Sequence, residues 1–347
     1  MRGGVASSRW TSAGQRGRSD KTVRALESYG ELGRQAAAHL EQRRAQHYSE
    51  YGIAGDVKRL RRFLAWCEER SLERPEEVTR PVLEQYQRWL FHQRKPDGRP
   101  LGVLTQHGLL QAVVTLFQWL SRQHLILFNP GAELVLPRLE QRLPRHVLTV
   151  LEVESVLSQP DVSEPAGVRD RAILETLYST GMRRAELVNL GIYDLDANRQ
   201  TVTIRLGKGK KDRVVPIGDR ALGWINKYLV EARSLLLHKQ TSDVLFVSSY
   251  GEALSTGYLT HLVREYIAAA GTGKTGSCHL LRHTCATLML ENGADIRYVQ
   301  VLLGHAQLKT TEIYTHVAIT KLKEVHERTH PSARLGRQAA PGAGETR

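Results

Sequence analysis

The sequence predicts a mainly α-helical protein with a small β-sheet, built as two domains, and three observations predict it. Apolar residues recur at helical 3/4 spacing over most of the chain. The period switches to two over residues 201–217 and again, briefly, at 244–247. Between the two halves, the stretch "NPGAELVLPRLEQRLPRHVLT" carries three prolines and no sustained period, which marks a linker. With 347 residues, 41% of them hydrophobic, the chain can bury a core in each half.

Residues 1–45 are Gly- and Arg-rich at first and then weakly helical, and they read as a basic, flexible arm. The first twenty residues lack the apolar stretch of a secretion signal; their Arg/Ser-rich, acid-poor character also suits an organelle transit peptide. A helical domain follows over 46–142. Ile53, Val57, Leu60, Leu64 and Cys67 share one helical face, Val82, Tyr86 and Leu90 a second, and Leu109, Val113, Leu116 and Leu120 a third, after the turn-rich "KPDGRPLG". Lys58, Arg59, Arg61, Arg62, Arg88 and Arg94 fall on the exposed faces of this bundle, where they suit a phosphate backbone or simply solvent.

The second domain, over 143–330, opens at a capping box in which Thr149 caps a helix whose third residue is Glu152. Helices are predicted at 149–158, 166–180 and 183–190, the second ending at Gly181, a residue suited to a left-handed cap. In "TVTIRL", Val202, Ile204 and Leu206 share a face, "GKGKKD" turns the chain and "RVVPI" returns it, which makes a hairpin. A helix at 219–236, a strand at 244–247 and helices near 255–270, 279–292, 295–303 and 310–325 complete the domain. Residues 331–347 read as a disordered tail.

The net charge is +13, and the basic residues recur along the whole length, which favours a polyanionic partner. Cys67, Cys278 and Cys285 are too few for a disulfide framework or a four-cysteine zinc site, and a reducing cytoplasm fits them. No apolar run approaches the roughly 18 residues that span a bilayer, so no membrane role is expected.

Two familiar signatures overlap at 271–285, "GTGKTGSCHLLRHTC". A phosphate loop needs a strand feeding a helix N-terminus, but the segment upstream of Lys274 has helical period, and Ala268 stands where the first glycine belongs. A zinc site needs four converging ligands, but Cys278, His279, His283 and Cys285 lie mostly on one helix, where only the two histidines share a face. Neither a nucleotide nor a metal is expected as a cofactor. On that helix His279 and Arg282, three apart, project together, and "LLGHAQLKTTEIYTHV" places His305 nine residues before Tyr314.

These last two stretches resemble the C-terminal signature of the tyrosine recombinases, the family of phage integrases and Xer-type recombinases. The match extends backwards in order: "LYSTGMRRAELVNL" resembles the family's first arginine box and "IRLGKGKKDRVVPIG" its β-hairpin, while 50–142 resembles more diffusely its SAM-like core-binding domain. The resemblance implies a C-shaped clamp on duplex DNA with Arg183, Lys208, His279, Arg282, His305 and Tyr314 as catalytic residues. Arg183 is preferred over the adjacent Arg184 by its spacing from Thr180–Gly181, and Lys208 over Lys210 and Lys211 by its place after Gly207. Glu186 is the implied acidic support of Arg183.

The residue types fit the implied chemistry. Cleaving a phosphodiester by attack on phosphorus needs a nucleophile, neutralisation of the non-bridging oxygens and a proton for the leaving oxygen. Tyr314 offers the hydroxyl, Arg183 and Arg282 offer bidentate forks, His279 and His305 offer hydrogen bonds or proton transfer, and Lys208 offers a general acid. The family mechanism implies a 3′-phosphotyrosyl link, a Holliday junction and a homotetramer on the DNA recombination site, or a tetramer shared with a paralogous recombinase. Integration, excision and chromosome-dimer resolution all stay open, as does a non-catalytic DNA-binding or architectural protein that uses the same boxes structurally.

Overall fold

The computed structural model describes residues 21–139, 146–205, 212–238 and 240–304. The chain divides between Gln141 and Arg142 into two compact units.

In the first unit, helices α1 (Gly30–Ala45), α2 (Glu50–Glu68), α3 (Arg80–His92) and α4 (Val103–Arg122) enclose one core. Ser49 caps α2 by accepting a hydrogen bond from the Gly52 amide. The apolar faces read from the sequence point inward, and Phe63, Trp66, Tyr86 and Phe117 interlock at the centre with centroid separations of 5.0–6.4 Å.

The expectation of a flexible arm over 1–45 is corrected from Val23 onward. Val23, Leu26, Leu32, Ala36, Ala37 and Leu40 are all buried in this core. The buried face of α1 mixes Leu32 and Leu40 with the small Gly33, Ala36 and Ala37, and an added Cβ at Gly33 would lie 2.1 Å from the Leu26 carbonyl. Small residues give little hydrophobic contrast in a sequence, yet they allow close approach of backbones. Ion pairs from Arg43 to Asp56 and from Arg44 to Glu50 fasten the end of α1 to α2.

The second unit begins at α5 (Val150–Leu157), where Thr149 and Glu152 form the expected reciprocal capping box. Helix α6 (Pro165–Thr180) runs through the middle of the unit and ends at Gly181 in the left-handed region, φ 58°. The short helix α7 (Arg184–Val188) follows, then an antiparallel three-stranded sheet in the order β1 (Leu195–Asp196), β2 (Thr201–Ile204), β3 (Arg213–Pro216). Helix α8 (Asp219–Lys227) continues through a π-helical turn (Tyr228–Ala232) into α9 (Arg233–Leu236). Residues 244–247, expected as a strand, form single bridges from Val244 to Gly191 and from Val247 to Ala253, with Leu245 and Phe246 buried between them. The neighbouring segments present one pairing position each, so no ladder propagates.

Helices α10 (Thr256–Ala269), α11 (Cys278–Glu291) and α12 (Ile296–Leu303) complete the described part. The expected helix at 310–325 and the tail at 331–347 lie outside the described residues. Arg169 and Asp170, both buried on α6, are paired at 2.8 Å, and Tyr266 of α10 donates to Asp170, so the charges inside this core are compensated. Among the described residues, no helix is long and apolar enough to cross a membrane.

Candidate active site

Two left-handed helix caps organise the site. Gly181 closes α6 and Gly304 closes α12, at φ 58° and 62°, values that favour glycine. An added Cβ at Gly304 would approach the Arg213 guanidinium to 2.9 Å, and one at Gly181 would approach Leu303 to 3.0 Å. The two caps expose backbone carbonyls close together, and arginines satisfy them.

Arg282, only 4% exposed, projects from α11 and donates through Nη1 to the Gly181 carbonyl at 2.6 Å and through Nη2 to the Leu303 carbonyl at 2.7 Å. Arg183, the N-cap of α7, donates through Nη2 to the Gly304 carbonyl at 3.0 Å. Both guanidiniums therefore converge on the last two carbonyls before His305. Arg184 points elsewhere and donates to Thr260 at 2.8 Å.

Glu186 is the hub beneath Arg183. It accepts from the Arg183 amide and Nη1, each at 2.9 Å, and from Arg213 Nη1 and Nη2 at 2.8 and 2.7 Å. Burial alone would push this carboxyl up, but the hydrogen bonds from Arg213 and Arg183 outweigh it and hold its pKa down at about 2. Glu186 is thus ionised throughout the neutral range and orients two cations.

His279 sits at the start of α11 with its side chain exposed. Desolvation of the part of the ring that packs against the protein, followed by repulsion from Arg184, Arg282 and Arg183, lowers its pKa below the usual imidazole value. His283, one turn on, is half-buried with its pKa lowered to about 4, mainly by burial, which keeps it neutral. The structure thus places Arg183, Arg282 and His279 around one region. Lys208, His305 and Tyr314 lie outside the described residues.

Neither tempting signature forms its site. The segment feeding "GTGKT" is α10, and Lys274 Nζ is engaged at 2.6 Å by both the Val147 carbonyl and Glu152. Cys278 and Cys285 are buried in the core, and among the described residues no three His, Cys, Asp or Glu side chains are grouped to hold a metal.

Arg213 is a site residue that motif reading missed, although a signal was present. In "RVVPI", Arg213 keeps the period of Val215 and Ile217, the buried face of β3. A charge in register with a core face needs a buried partner, and Glu186 is that partner.

Comparisons with known proteins bear on the family and the fold. Residues 146–321 match the phage integrase family and residues 36–126 match the phage integrase N-terminal SAM-like domain. The chain is 51% identical over 315 residues to tyrosine recombinase XerC 2 of Ralstonia nicotianae, covering 91% of this chain and 90% of that protein. It is 41% identical over 287 residues to tyrosine recombinase XerD of Vibrio cholerae, covering 82% and 92% respectively. Among solved structures, the fold is similar to that of the XerH site-specific recombinase in a post-cleavage complex with its difH substrate, with TM-score 0.66, 24% identity and coverage of 89% and 93%. It is also similar to a lambda integrase dimer bound to a core site, with TM-score 0.60, 17% identity and coverage of 80% and 92%.

Proposed function

The chain belongs to the phage integrase family and is a tyrosine site-specific recombinase, and we propose that it cuts and rejoins DNA at the site built around Arg183 and Arg282. The observation that carries this reading is the convergence of those two guanidiniums on the Leu303 and Gly304 carbonyls, directly ahead of the His305 box. A guanidinium carries five N–H donors in a fixed planar fork, a geometry that matches a phosphate.

In the proposed reaction the Tyr314 hydroxyl gives up its proton to solvent as its oxygen attacks the scissile phosphorus. A phosphorus–tyrosyl oxygen bond forms, the bond to the 5′ oxygen breaks, and the product is a 3′-phosphotyrosyl link plus a free 5′-hydroxyl. Arg183 and Arg282 hold the charge that develops on the non-bridging oxygens. His279 and His305 donate hydrogen bonds to the same phosphate; with its pKa lowered, His279 acts as a neutral donor. Lys208 supplies the proton to the departing 5′ oxygen. The 5′-hydroxyl of a partner strand then reverses the step and reseals the backbone. One phosphodiester replaces another, so no nucleotide hydrolysis is needed, and the arginines do the electrostatic work a cation would do.

We assign the exposed Lys58, Arg59, Arg61, Arg88 and Arg94 of the first unit to the DNA backbone. The partner is a double-stranded recombination site, bound in the cytoplasm by four protomers that exchange strands through a Holliday junction, either as a homotetramer or with a paralogous recombinase. The outcome is integration, excision or dimer resolution.

The test uses the full chain and a suicide duplex, nicked so that cleavage releases a short strand, carrying a recombination site identified beforehand from protein-bound DNA. In EDTA and without nucleotide, a covalent protein–DNA adduct is expected, and Tyr314→Phe should abolish it while leaving DNA binding intact. Normal binding without an adduct would instead favour the non-catalytic DNA-binding protein.

A further inference from the structure

Arg213 has no part in the chemistry above, yet it is one of the most constrained side chains near the site. We propose that Arg213 is a positioning residue for recombination, fastening the start of β3, which follows Lys208 in the sequence, to the Arg183 box and to the end of α12. The inference rests on the recombinase reading.

Three sets of contacts carry it. First, Arg213 grips both oxygens of Glu186 at 2.8 and 2.7 Å, and the same carboxylate receives the Arg183 amide and Nη1 at 2.9 Å each. Glu186 is therefore a shared joint: the fork of Arg213 sets the carboxylate plane, and that plane sets where Arg183 points. Second, the Arg213 guanidinium lies against Gly304, where even a methyl group would come within 2.9 Å, and its Nε reaches toward the Leu302 carbonyl at 3.4 Å. Gly304 is the residue whose carbonyl binds Arg183 and whose successor in the chain is His305. Third, Arg213 pairs with Ile204 between β2 and β3, and it is the first paired residue after Lys208 in the sequence. Anchoring Arg213 fixes the strand end that follows Lys208 in the sequence.

The side chain itself favours this role over a merely structural ion pair. A lysine in its place keeps the charge but supplies a point donor that cannot bind both carboxylate oxygens in one plane. If Arg213 acts by setting geometry, lysine fails to rescue. If it serves only to neutralise Glu186, lysine is sufficient.

The experiment measures single-turnover adduct formation on the suicide duplex at saturating DNA, with DNA affinity measured separately by fluorescence anisotropy. Wild type and Tyr314→Phe come first; no adduct from wild type on its verified site overturns the recombinase reading and the inference with it. Given a wild-type adduct, Arg213→Met is expected to slow cleavage about 100-fold, the scale at which a small misplacement of a reacting group acts, while DNA affinity is retained. Arg213→Lys should recover little of that loss. Glu186→Gln combined with Arg213→Met should be no slower than the worse single variant, because both act through one joint. Cleavage at the wild-type rate by Arg213→Lys, or losses that multiply in the double variant, would overturn the proposal. Should Arg213→Met fail to fold, Arg213→Lys alone decides between the two outcomes.

Discussion

Replacing Glu186 by glutamine keeps the shape of the side chain and removes its charge. In the folded protein the carboxyl titrates at about 2, against 4.5 for an ordinary glutamate. At ~1.4 kcal/mol per pH unit, that gap corresponds to about 3 kcal/mol of stability at neutral pH. An independent estimate agrees, since removing one partner of a buried ion pair costs about 3–5 kcal/mol, and here the carboxamide leaves Arg213 without the negative charge it contacts through both oxygens. The direction with pH follows from the depressed value. The folded state binds the proton less readily than the unfolded state, so the contribution is complete above about 4.5 and is lost as pH falls towards about 2. Glu186→Gln should therefore be about 3 kcal/mol less stable than wild type at pH 7, and the deficit should shrink through that acidic window. Urea unfolding read by pulsed hydrogen exchange and mass spectrometry resolves the transition of the second unit from that of the first. A deficit below about 1 kcal/mol at pH 7, or one unchanged at pH 3, would refute the electrostatic account of this hub.

Other substitutions probe other parts of the structure. Lys274→Ala should cost about 1 kcal/mol, because the pair with Glu152 is only partly shielded, at 24% exposure on each side; adduct formation should persist, and DNA-stimulated ATP hydrolysis abolished by this change would instead reinstate a phosphate loop. Gly304→Ala forces a side chain into the left-handed region, worth about 1–2 kcal/mol, and drives it against Arg213; lower thermal stability and slower cleavage should appear together. Leu40→Ala, at a fully buried position on α1, should destabilise the first unit by about 2–5 kcal/mol, and removal of residues 1–45 should abolish its cooperative melting by circular dichroism, whereas a dispensable arm would leave both unchanged.

Much of this protein is legible without coordinates because its signals are local. The capping box at Thr149 and Glu152, the left-handed cap at Gly181 and the strand alternation around Val202 and Val215 each depend on residues a few positions apart, and each forms. The arm shows where such reading stops. Helix α1 is held partly by Gly33, whose smallness matters only once the Leu26 backbone lies against it, and Ala36 and Ala37 beside it give little hydrophobic contrast. The bridges at 244–247 failed as a strand for a related reason, since pairing depends on what the neighbours offer along their length.

The site divides in the same way. Sequence alone determined the order of the boxes and the residue types offered for phosphoryl transfer, because chemistry is written in side chains and their spacing; Arg183, Arg282 and His279 are candidates by resemblance. Only the tertiary structure decided that Arg282 is buried against the Gly181 and Leu303 carbonyls, that Lys274 is occupied by Glu152, and that Arg213 shares Glu186 with Arg183. Apart from Arg183–Glu186, three positions apart, those contacts join residues 21 to 122 positions apart. They exist because folding brings two helix caps and a strand together and leaves these charged groups less solvent with which to pair.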